Sequence, residues 1–220
     1  MERLEQLSLS DAEPDGYSRE GKSKPKADYL TSKSADTSNY IIVETQLPGK
    51  IADALIASVS DTRMLSTMQC YSNAALNKAV KALACISESL EDQGCDIYCF
   101  VDYSAFANDT LRTCNIYTWT TQQREDYSPD PFVAVAKSSV PQRTGSFIAH
   151  TFKEKKKLQN MRISACGEIS ISNAIAAIFF ARHYLSEERL DLTMTPRFGH
   201  EGELTIVNIY LTCFVLRPRD

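Results

Sequence analysis

The most strand-like stretch of the sequence is residues 204–216, LTIVNIYLTCFVL, in which only Asn208 and the threonines interrupt the apolar side chains. β-Branched and aromatic residues of this kind favour a β-strand. Just upstream, residues 190–194 alternate between apolar and polar side chains, as half-buried strands do. The end of the chain is therefore predicted to form β-sheet.

The rest of the chain adds further strands and a smaller number of helices. Strands are predicted from β-forming residues at 40–43, 96–101, 113–121, 132–136 and 146–152. Helices are predicted from the spacing of apolar residues at 51–59, from Ser72 onward, and at 170–184. About seven or eight strands and about three helices indicate a mainly β, α+β domain, an antiparallel jelly-roll-like sandwich with helical insertions. No internal repeat is apparent in the sequence.

The composition is that of a globular protein with a polar beginning. Of the 220 residues, 43% are hydrophobic and 24% charged, and the net charge is −4. This excludes disorder throughout and a broadly basic nucleic-acid binder, although local basic patches remain open. Residues 1–38 are rich in polar residues and poor in apolar ones. They are predicted to be a flexible polar tail, followed by a single β-rich domain at 39–220.

Targeting signals and spanning segments are not expected. The longest apolar stretch, residues 169–181, is shorter than the roughly 20 residues of a membrane-spanning helix. The first residues lack the apolar core of a signal peptide. Seven cysteines, an odd number, are scattered along the chain, which indicates reduced thiols in a cytosolic protein.

Catalytic and metal-binding patterns are weak. Cys114 together with His150 or His183, or Cys166 before Gly167, are candidate nucleophiles, but a cysteine on a strand is more often a small apolar filler. The sequence contains neither a nucleophile elbow nor a phosphate-binding glycine loop, and its cysteines and histidines lack the spacing of a zinc site. We therefore expect no enzymatic activity, no catalytic residue, no metal, no cofactor and no small-molecule substrate.

A short basic cluster is the best candidate for binding. It consists of Lys153, Lys155, Lys156, Lys157 and Arg162, with Phe147 and Phe152 just upstream. Lysines beside aromatic residues can follow a nucleic-acid backbone while the rings stack on bases, so the cluster is a candidate site for single-stranded RNA without sequence preference. The alternative is a solvated hairpin turn between two strands.

The order of segments after Cys95 resembles the core of the viral 30K cell-to-cell movement protein superfamily. An apolar strand ends in an aspartate at Tyr98-Cys99-Phe100-Val101-Asp102, and a polar stretch then leads into the aromatic strand around Tyr117. Later come the helix that begins near Ser170, Gly202, and a final strand ending at Arg217. The sequence departs from the family in having Ser104 where a basic residue is common, and in lacking a basic tail.

The resemblance implies a plant-virus protein that carries single-stranded RNA between cells through plasmodesmata. It implies a location in the host cytoplasm, at the periphery of the endoplasmic reticulum and at plasmodesmata, with host membrane or plasmodesmal proteins and self-association as further contacts. Asp102 is then structural, fixing a strand end through side-chain to backbone hydrogen bonds, and Gly202 belongs to the motif. The alternatives are a self-assembling matrix or coat subunit and a cytosolic protein-interaction domain.

Overall fold

The structure is a computed structural model. It describes residues 40–42, 47–62, 66–103, 106–107, 110–111, 113–121, 131–155 and 158–216. The predicted tail, residues 1–38, lies outside the described residues.

The first half of the described chain has the order strand-helix-strand-helix-strand-strand. Its elements are β1 (Tyr40–Ile42), α1 (Pro48–Thr62), β2 (Ser66–Cys70), α2 (Asn73–Glu91), β3 (Asp96–Tyr103) and β6 (Cys114–Thr121), with a separate small hairpin of β4 (Phe106–Ala107) and β5 (Thr110–Leu111) before β6. β1 runs parallel to β2, and β6 is antiparallel to both β2 and β3. We call the six main elements repeat 1.

The second half repeats this order. Its elements are β7 (Phe132–Val135), α3 (Pro141–Glu154), β8 (Asn160–Ala165), α4 (Glu168–Ser186), β9 (Leu190–Glu201) and β10 (Leu204–Val215). β7 is parallel to β8, and β10 is antiparallel to both β8 and β9. Helices α2 and α4 are both 19 residues long, and α1 and α3 both begin with a proline, Pro48 and Pro141. We call these elements repeat 2; the expectation of no internal repeat was wrong.

The two repeats share one sheet and are related by a local two-fold axis. The described strands form an eight-stranded sheet in the order β1-β2-β6-β3-β9-β10-β8-β7, so the second repeat mirrors the order of the first. The repeats meet where Cys99 of β3 pairs with Met194 of β9 in antiparallel fashion. Cys99 follows the end of α2, at Glu91, by as many residues as Met194 follows the end of α4, at Ser186, so the two are equivalent positions. Pairing of equivalent residues places the axis between them, as in an isologous dimer.

The described helices form a single layer on one face of the sheet. Helices α2 and α4 pack on each other and on β9 and β3, while α1 packs on α2 and α3 on α4. The core lies between this layer and the inward side chains of the strands, and it includes Met68, Leu83, Cys99, Ile116, Ile163, Ile175, Met194 and Ile209. Helix α2 begins at Ser72, whose hydroxyl accepts the N–H of Ala75 at 3.1 Å.

The prediction of an α+β, sheet-rich domain is confirmed, but a jelly-roll is not what the described residues form. Apart from the small β4–β5 hairpin, they form one mixed sheet with four helices, where three helices were predicted. The reason lies in the parallel pairs β1–β2 and β7–β8, because a helix must cross over between two parallel strands and so covers the face of the sheet. A second sheet on that face would compete with this helix layer.

The fourth helix, α3, lies where a strand was predicted at residues 146–152. Pro141 occupies the first helical turn, where its missing N–H costs nothing. Gly145, Ile148 and Phe152 recur at helical spacing and are buried. The aromatic and β-branched content suggested a strand, but the three-to-four-residue period decides the local structure.

Candidate nucleic-acid interface

The sheet face turned away from the described helices, here called the outer face, carries the side chains that alternate with the core positions. In β3, Cys99 and Val101 are completely buried, whereas Tyr98 and Phe100, which alternate with them, are partly exposed. Side chains of a strand point alternately to opposite faces, so Tyr98 and Phe100 lie on the outer face. Residues paired with them on neighbouring strands point to the same face, so the strand registers identify the other outer-face residues.

One line of outer-face residues crosses both repeats and is here called the outer row. The members are Trp119, Tyr98, Thr195, Tyr210, Arg162 and Phe132. Neighbouring members are paired in the strand registers, except that Tyr98 is placed opposite Thr195 by extending the antiparallel pair of Cys99 and Met194 by one residue. The five steps between neighbouring strands, each about 4.8 Å, give the row a length of about 24 Å. Thr195 is itself buried and donates its hydroxyl to the carbonyl of Ile97 at 2.8 Å.

Four aromatic rings on the repeat 1 side pack into a cluster. The rings of Phe100 and Trp119 are 4.6 Å apart between centroids and tilted by 31°, while Tyr98 meets Trp119 edge-on at 6.0 Å. Phe214 of β10 joins from repeat 2, with its centroid 5.9 Å from that of Phe100. We call Tyr98, Phe100, Trp119 and Phe214 the aromatic cluster. All but Phe214 come from repeat 1, and Trp119 is the single tryptophan of the chain.

Arg162 and Phe132 form a cation–π pair at the opposite end of the outer row. The guanidinium carbon of Arg162 lies 5.1 Å from the centroid of the Phe132 ring, and Phe132 is 49% exposed. Within the part of the chain that the structure describes, the Arg162 guanidinium forms no ion pair, and its Nε atom is buried without an acceptor. A guanidinium in this state is suited to receiving a planar anionic group such as a phosphate.

Two other arginines near the axis are already committed to carboxylates. The Arg197 guanidinium donates to Asp96 Oδ2 at 2.6 Å and stacks over the ring of Tyr210. Arg182 of α4 forms a two-pronged ion pair with Asp191, at 2.6 and 2.9 Å, and also donates to the carbonyl of Val101. The Asp96–Arg197 pair and the Arg182–Val101 bond both connect the two repeats. These arginines therefore hold the repeats together.

The sheet separates the residues of the predicted basic cluster. Arg162 lies in β8 on the outer face, but Lys153 lies in the last turn of α3, in the helix layer. The Lys153 ammonium pairs with Glu188 at 3.1 Å, and Lys155 follows as the C-cap residue of α3. Lys156 and Lys157 lie outside the described residues. The cluster thus begins in a helix and ends in a strand, so the alternative of a hairpin turn between two strands was wrong.

Lys153 and Glu188 also line a cleft of about 290 Å³ at the end of the sheet. Its other walls are largely apolar and include Phe152, Leu158 and Cys213. Burial, with a smaller contribution from Asp191, raises the pKa of the Cys213 thiol to about 11. This thiol is therefore protonated near neutral pH and is a poor nucleophile.

The two residues of the predicted structural motif occupy strand ends. Asp102 lies near the end of β3, and its Oδ1 atom accepts the N–H of Tyr103 at 2.8 Å. Gly202 forms the turn between β9 and β10 with a φ of +61°, in the left-handed region that side chains rarely adopt.

The structure places the two candidate cysteines in different surroundings. Cys114 is buried beside Tyr103, and burial together with the nearby Cys70 holds its pKa well above the usual range. The exposed Cys166 thiol faces the carbonyl of Thr205 at 3.8 Å. Among the described residues, no group of three or more His, Cys, Asp and Glu could hold a metal ion. None of the described helices is both long and apolar enough to cross a membrane.

The sequence analysis named Arg162 as a candidate but did not name the aromatic residues of the outer face. A signal for them existed, because Tyr98 and Phe100, and likewise Tyr117 and Trp119, stand two residues apart within predicted strands. Aromatic residues at a period of two occupy one face of a strand. Phe132 carried no such signal, since only the register of β7 with β8 brings its ring beside Arg162.

Comparison with known protein families identifies the class to which this two-repeat fold belongs. The family model for stage V sporulation protein S (SpoVS) matches the chain twice, at residues 42–117 and 132–207. The first match begins in β1 and ends in β6, and the second begins in β7 and ends in β10. The chain therefore belongs to the SpoVS family, with the two matches falling on the two repeats. No curated protein matches it.

This membership overturns the movement-protein interpretation. SpoVS is a bacterial sporulation family and not the viral 30K superfamily, so the predicted role in transport between plant cells is wrong. The location at plasmodesmata and the alternatives of a viral matrix or coat subunit and of a cytosolic interaction domain lose their support with it. The resemblance rested on the order of strands and on single residues such as Asp102, features that unrelated β-rich domains share.

Proposed function

We propose that this chain is a non-enzymatic protein of bacterial sporulation that binds single-stranded nucleic acid, RNA in particular, along the outer row. The association with sporulation rests on the description of its family. The observation that carries the binding proposal is Arg162, a guanidinium without an ion pair among the described residues, stacked on the exposed ring of Phe132. It lies in one row with Tyr98 and Trp119.

Stacking and phosphate contacts together explain why these residue types suit a single strand. Every base has a π-face, so partly exposed aromatic rings bind bases without sequence preference, at about 1–3 kcal/mol per base. Arginine adds bidentate contacts to phosphate and can stack on a ring at the same time. The outer row offers both groups on one sheet face, with rings at both ends of a length of about 24 Å and the guanidinium beside Phe132.

The charge of the protein sets the expected strength of binding. The net charge is −4, and the guanidinium groups of Arg182 and Arg197 are paired with Asp191 and Asp96. Among the described members of the outer row, Arg162 alone carries a positive charge that can displace counterions from the nucleic acid. We therefore expect modest affinity at low salt and a shallow dependence on salt concentration.

The state of the buried thiols supports a non-enzymatic role. Cys99 and Cys114 are fully or almost fully buried, and burial is the main cause that holds the pKa of each well above its usual range. A thiol in this state supplies almost no thiolate for attack on a substrate.

The proposal is tested with two matched variants, Phe132→Ser and Phe147→Ser. Both rings are about half exposed, at 49% and 50%, but Phe132 lies in the outer row and Phe147 on α3 in the helix layer. Binding of a short oligouridylate is followed through the emission of Trp119. We expect Phe132→Ser to weaken binding about fivefold to a hundredfold, as loss of one stacking contact does. Phe147→Ser should bind like the parent, and equal losses in both variants would refute the assignment to the outer face.

A further inference from the structure

The two repeats are equivalent in fold, but their contributions to the outer row are not. The pair Tyr98 and Trp119 of repeat 1 corresponds to Thr193 and Thr212 of repeat 2, which face each other at the same place in β9 and β10. Repeat 2 thus has two threonines where repeat 1 has two aromatic rings.

The difference is reversed at the position of Arg162. Arg162 faces Tyr210 in repeat 2, and the equivalent pair in repeat 1 is Thr67 and Tyr117. The tyrosine is kept in both repeats, but the guanidinium is present in repeat 2 alone. The two rings that have no aromatic counterpart in the other repeat, Tyr98 and Trp119, therefore lie at one end of the outer row, and Arg162, the guanidinium that has no counterpart, lies near the other end beside Phe132.

We propose that this asymmetry makes the outer row a directional site that holds one nucleic-acid strand in a single 5′-to-3′ orientation. The proposal rests on the proposed function. A face with true two-fold symmetry binds a strand equally well in either direction, since rotation about the axis exchanges the two complexes. Here rotation would bring the stacking bases onto Thr193 and Thr212 and would move the phosphate from Arg162 to Thr67. The reversed complex has Tyr117 in place of Tyr210 and Phe100 in place of Thr195, but it loses the Tyr98 and Trp119 rings and the Arg162 guanidinium. One direction is therefore favoured.

The position of Trp119 allows the direction to be measured. It lies at the aromatic end of the row, about 24 Å from Phe132 at the other end. Energy transfer from tryptophan to a dansyl group distinguishes a label beside Trp119 from one at the far end. The probe is an oligouridylate of roughly eight nucleotides, within the site sizes of single-strand binding folds, labelled at either its 5′ or its 3′ end.

A single orientation predicts that transfer from Trp119 is several-fold stronger to one labelled end than to the other. In the double variant Trp119→Phe, Phe132→Trp, both aromatic positions are kept but the tryptophan moves to the other end of the row. Energy transfer from the relocated tryptophan should then be stronger to the opposite labelled end of the oligouridylate. Equal transfer to both ends in the parent protein, with binding intact, would overturn the directional site and leave the proposed function standing. Failure of the parent protein to bind either probe at low salt would overturn both proposals.

Discussion

Cys99 and Met194 are paired across the local two-fold axis, and they are the only residues through which the described strands β3 and β9 form a ladder pair. Side-chain bonds supplement this short contact. Asp96 binds Arg197, the hydroxyl of Thr195 donates to the carbonyl of Ile97, and Arg182 donates to the carbonyl of Val101. The repeats are thus held together by packing of α2 and α4 and by polar groups at the axis.

The Asp96–Arg197 pair should be a major contributor to stability. Asp96 is 1% exposed and also accepts hydrogen bonds from the Ser87 hydroxyl and from the N–H of Ile97. Asp96→Ala removes the carboxylate that the partly buried Arg197 guanidinium binds, which should lower the free energy of unfolding by about 3–5 kcal/mol in urea denaturation. The control is Glu154→Ala, which breaks the exposed pair with His150 and should cost at most about 1 kcal/mol. Similar small losses of stability in both variants would show that the Asp96–Arg197 pair does not hold the repeats together.

Gly145 marks the close approach of α3 to α4. A Cβ atom at this position would lie 2.7 Å from both the carbonyl oxygen of Ala177 and the Cβ of Phe180. Gly145→Ala should therefore lower the free energy of unfolding by about 1–3 kcal/mol, despite the better helix propensity of alanine. Gly49 in α1 has open space around it, so Gly49→Ala should instead be neutral or stabilise by up to about 1 kcal/mol. Thermal unfolding of both variants measures the difference, and a stabilised Gly145→Ala variant would contradict the helix packing.

Alkaline conditions should destabilise the fold through its buried thiols. Burial, and to a lesser extent Asp96, hold the pKa of Cys99 well above the ordinary value of 9.0. Above that pH the unfolded chain releases this proton and the folded chain retains it. The stabilisation is complete below about pH 9 and is lost as the pH rises, by up to about 1.4 kcal/mol per pH unit for each such thiol. Urea denaturation between about pH 8 and about pH 10 measures the slope, which should be smaller in Cys99→Ala. An identical slope in Cys99→Ala would exclude the Cys99 thiol as a cause of the alkaline destabilisation.

The sequence was sufficient for most elements but not for their arrangement. Helix α2 and strand β10 have strong local patterns, and both were predicted. Strand β2 was missed because its residues, Ser66–Cys70, are mostly polar or small, and its place is determined by pairing with β1 and β6. The duplication was also missed, because equivalent positions such as Tyr98 and Thr193 have diverged while the backbone has not.

For the candidate site too, the sequence indicated a residue but not its spatial neighbours. Arg162 was predicted as part of a local basic run, yet the sheet separates it from Lys153, and the ring that its guanidinium contacts is that of Phe132. Phe132 is thirty residues away in the sequence, and only the parallel pairing of β7 with β8 brings it to Arg162. Charge clustering along a chain does not report which face of a sheet each residue occupies.

The most direct measurement is the salt dependence of oligouridylate binding by the parent protein, Arg162→Gln and Arg143→Gln. Both variants remove one positive charge, but Arg162 lies in the outer row and the exposed Arg143 lies on α3. We expect Arg162→Gln to bind more weakly, with the slope of log affinity against log salt reduced by about 0.7, the value for one phosphate contact on a single strand. Arg143→Gln should match the parent in both affinity and slope. Absence of binding by the parent protein at low salt, or equal effects of the two variants, would contradict the assignment of nucleic-acid binding to the outer face.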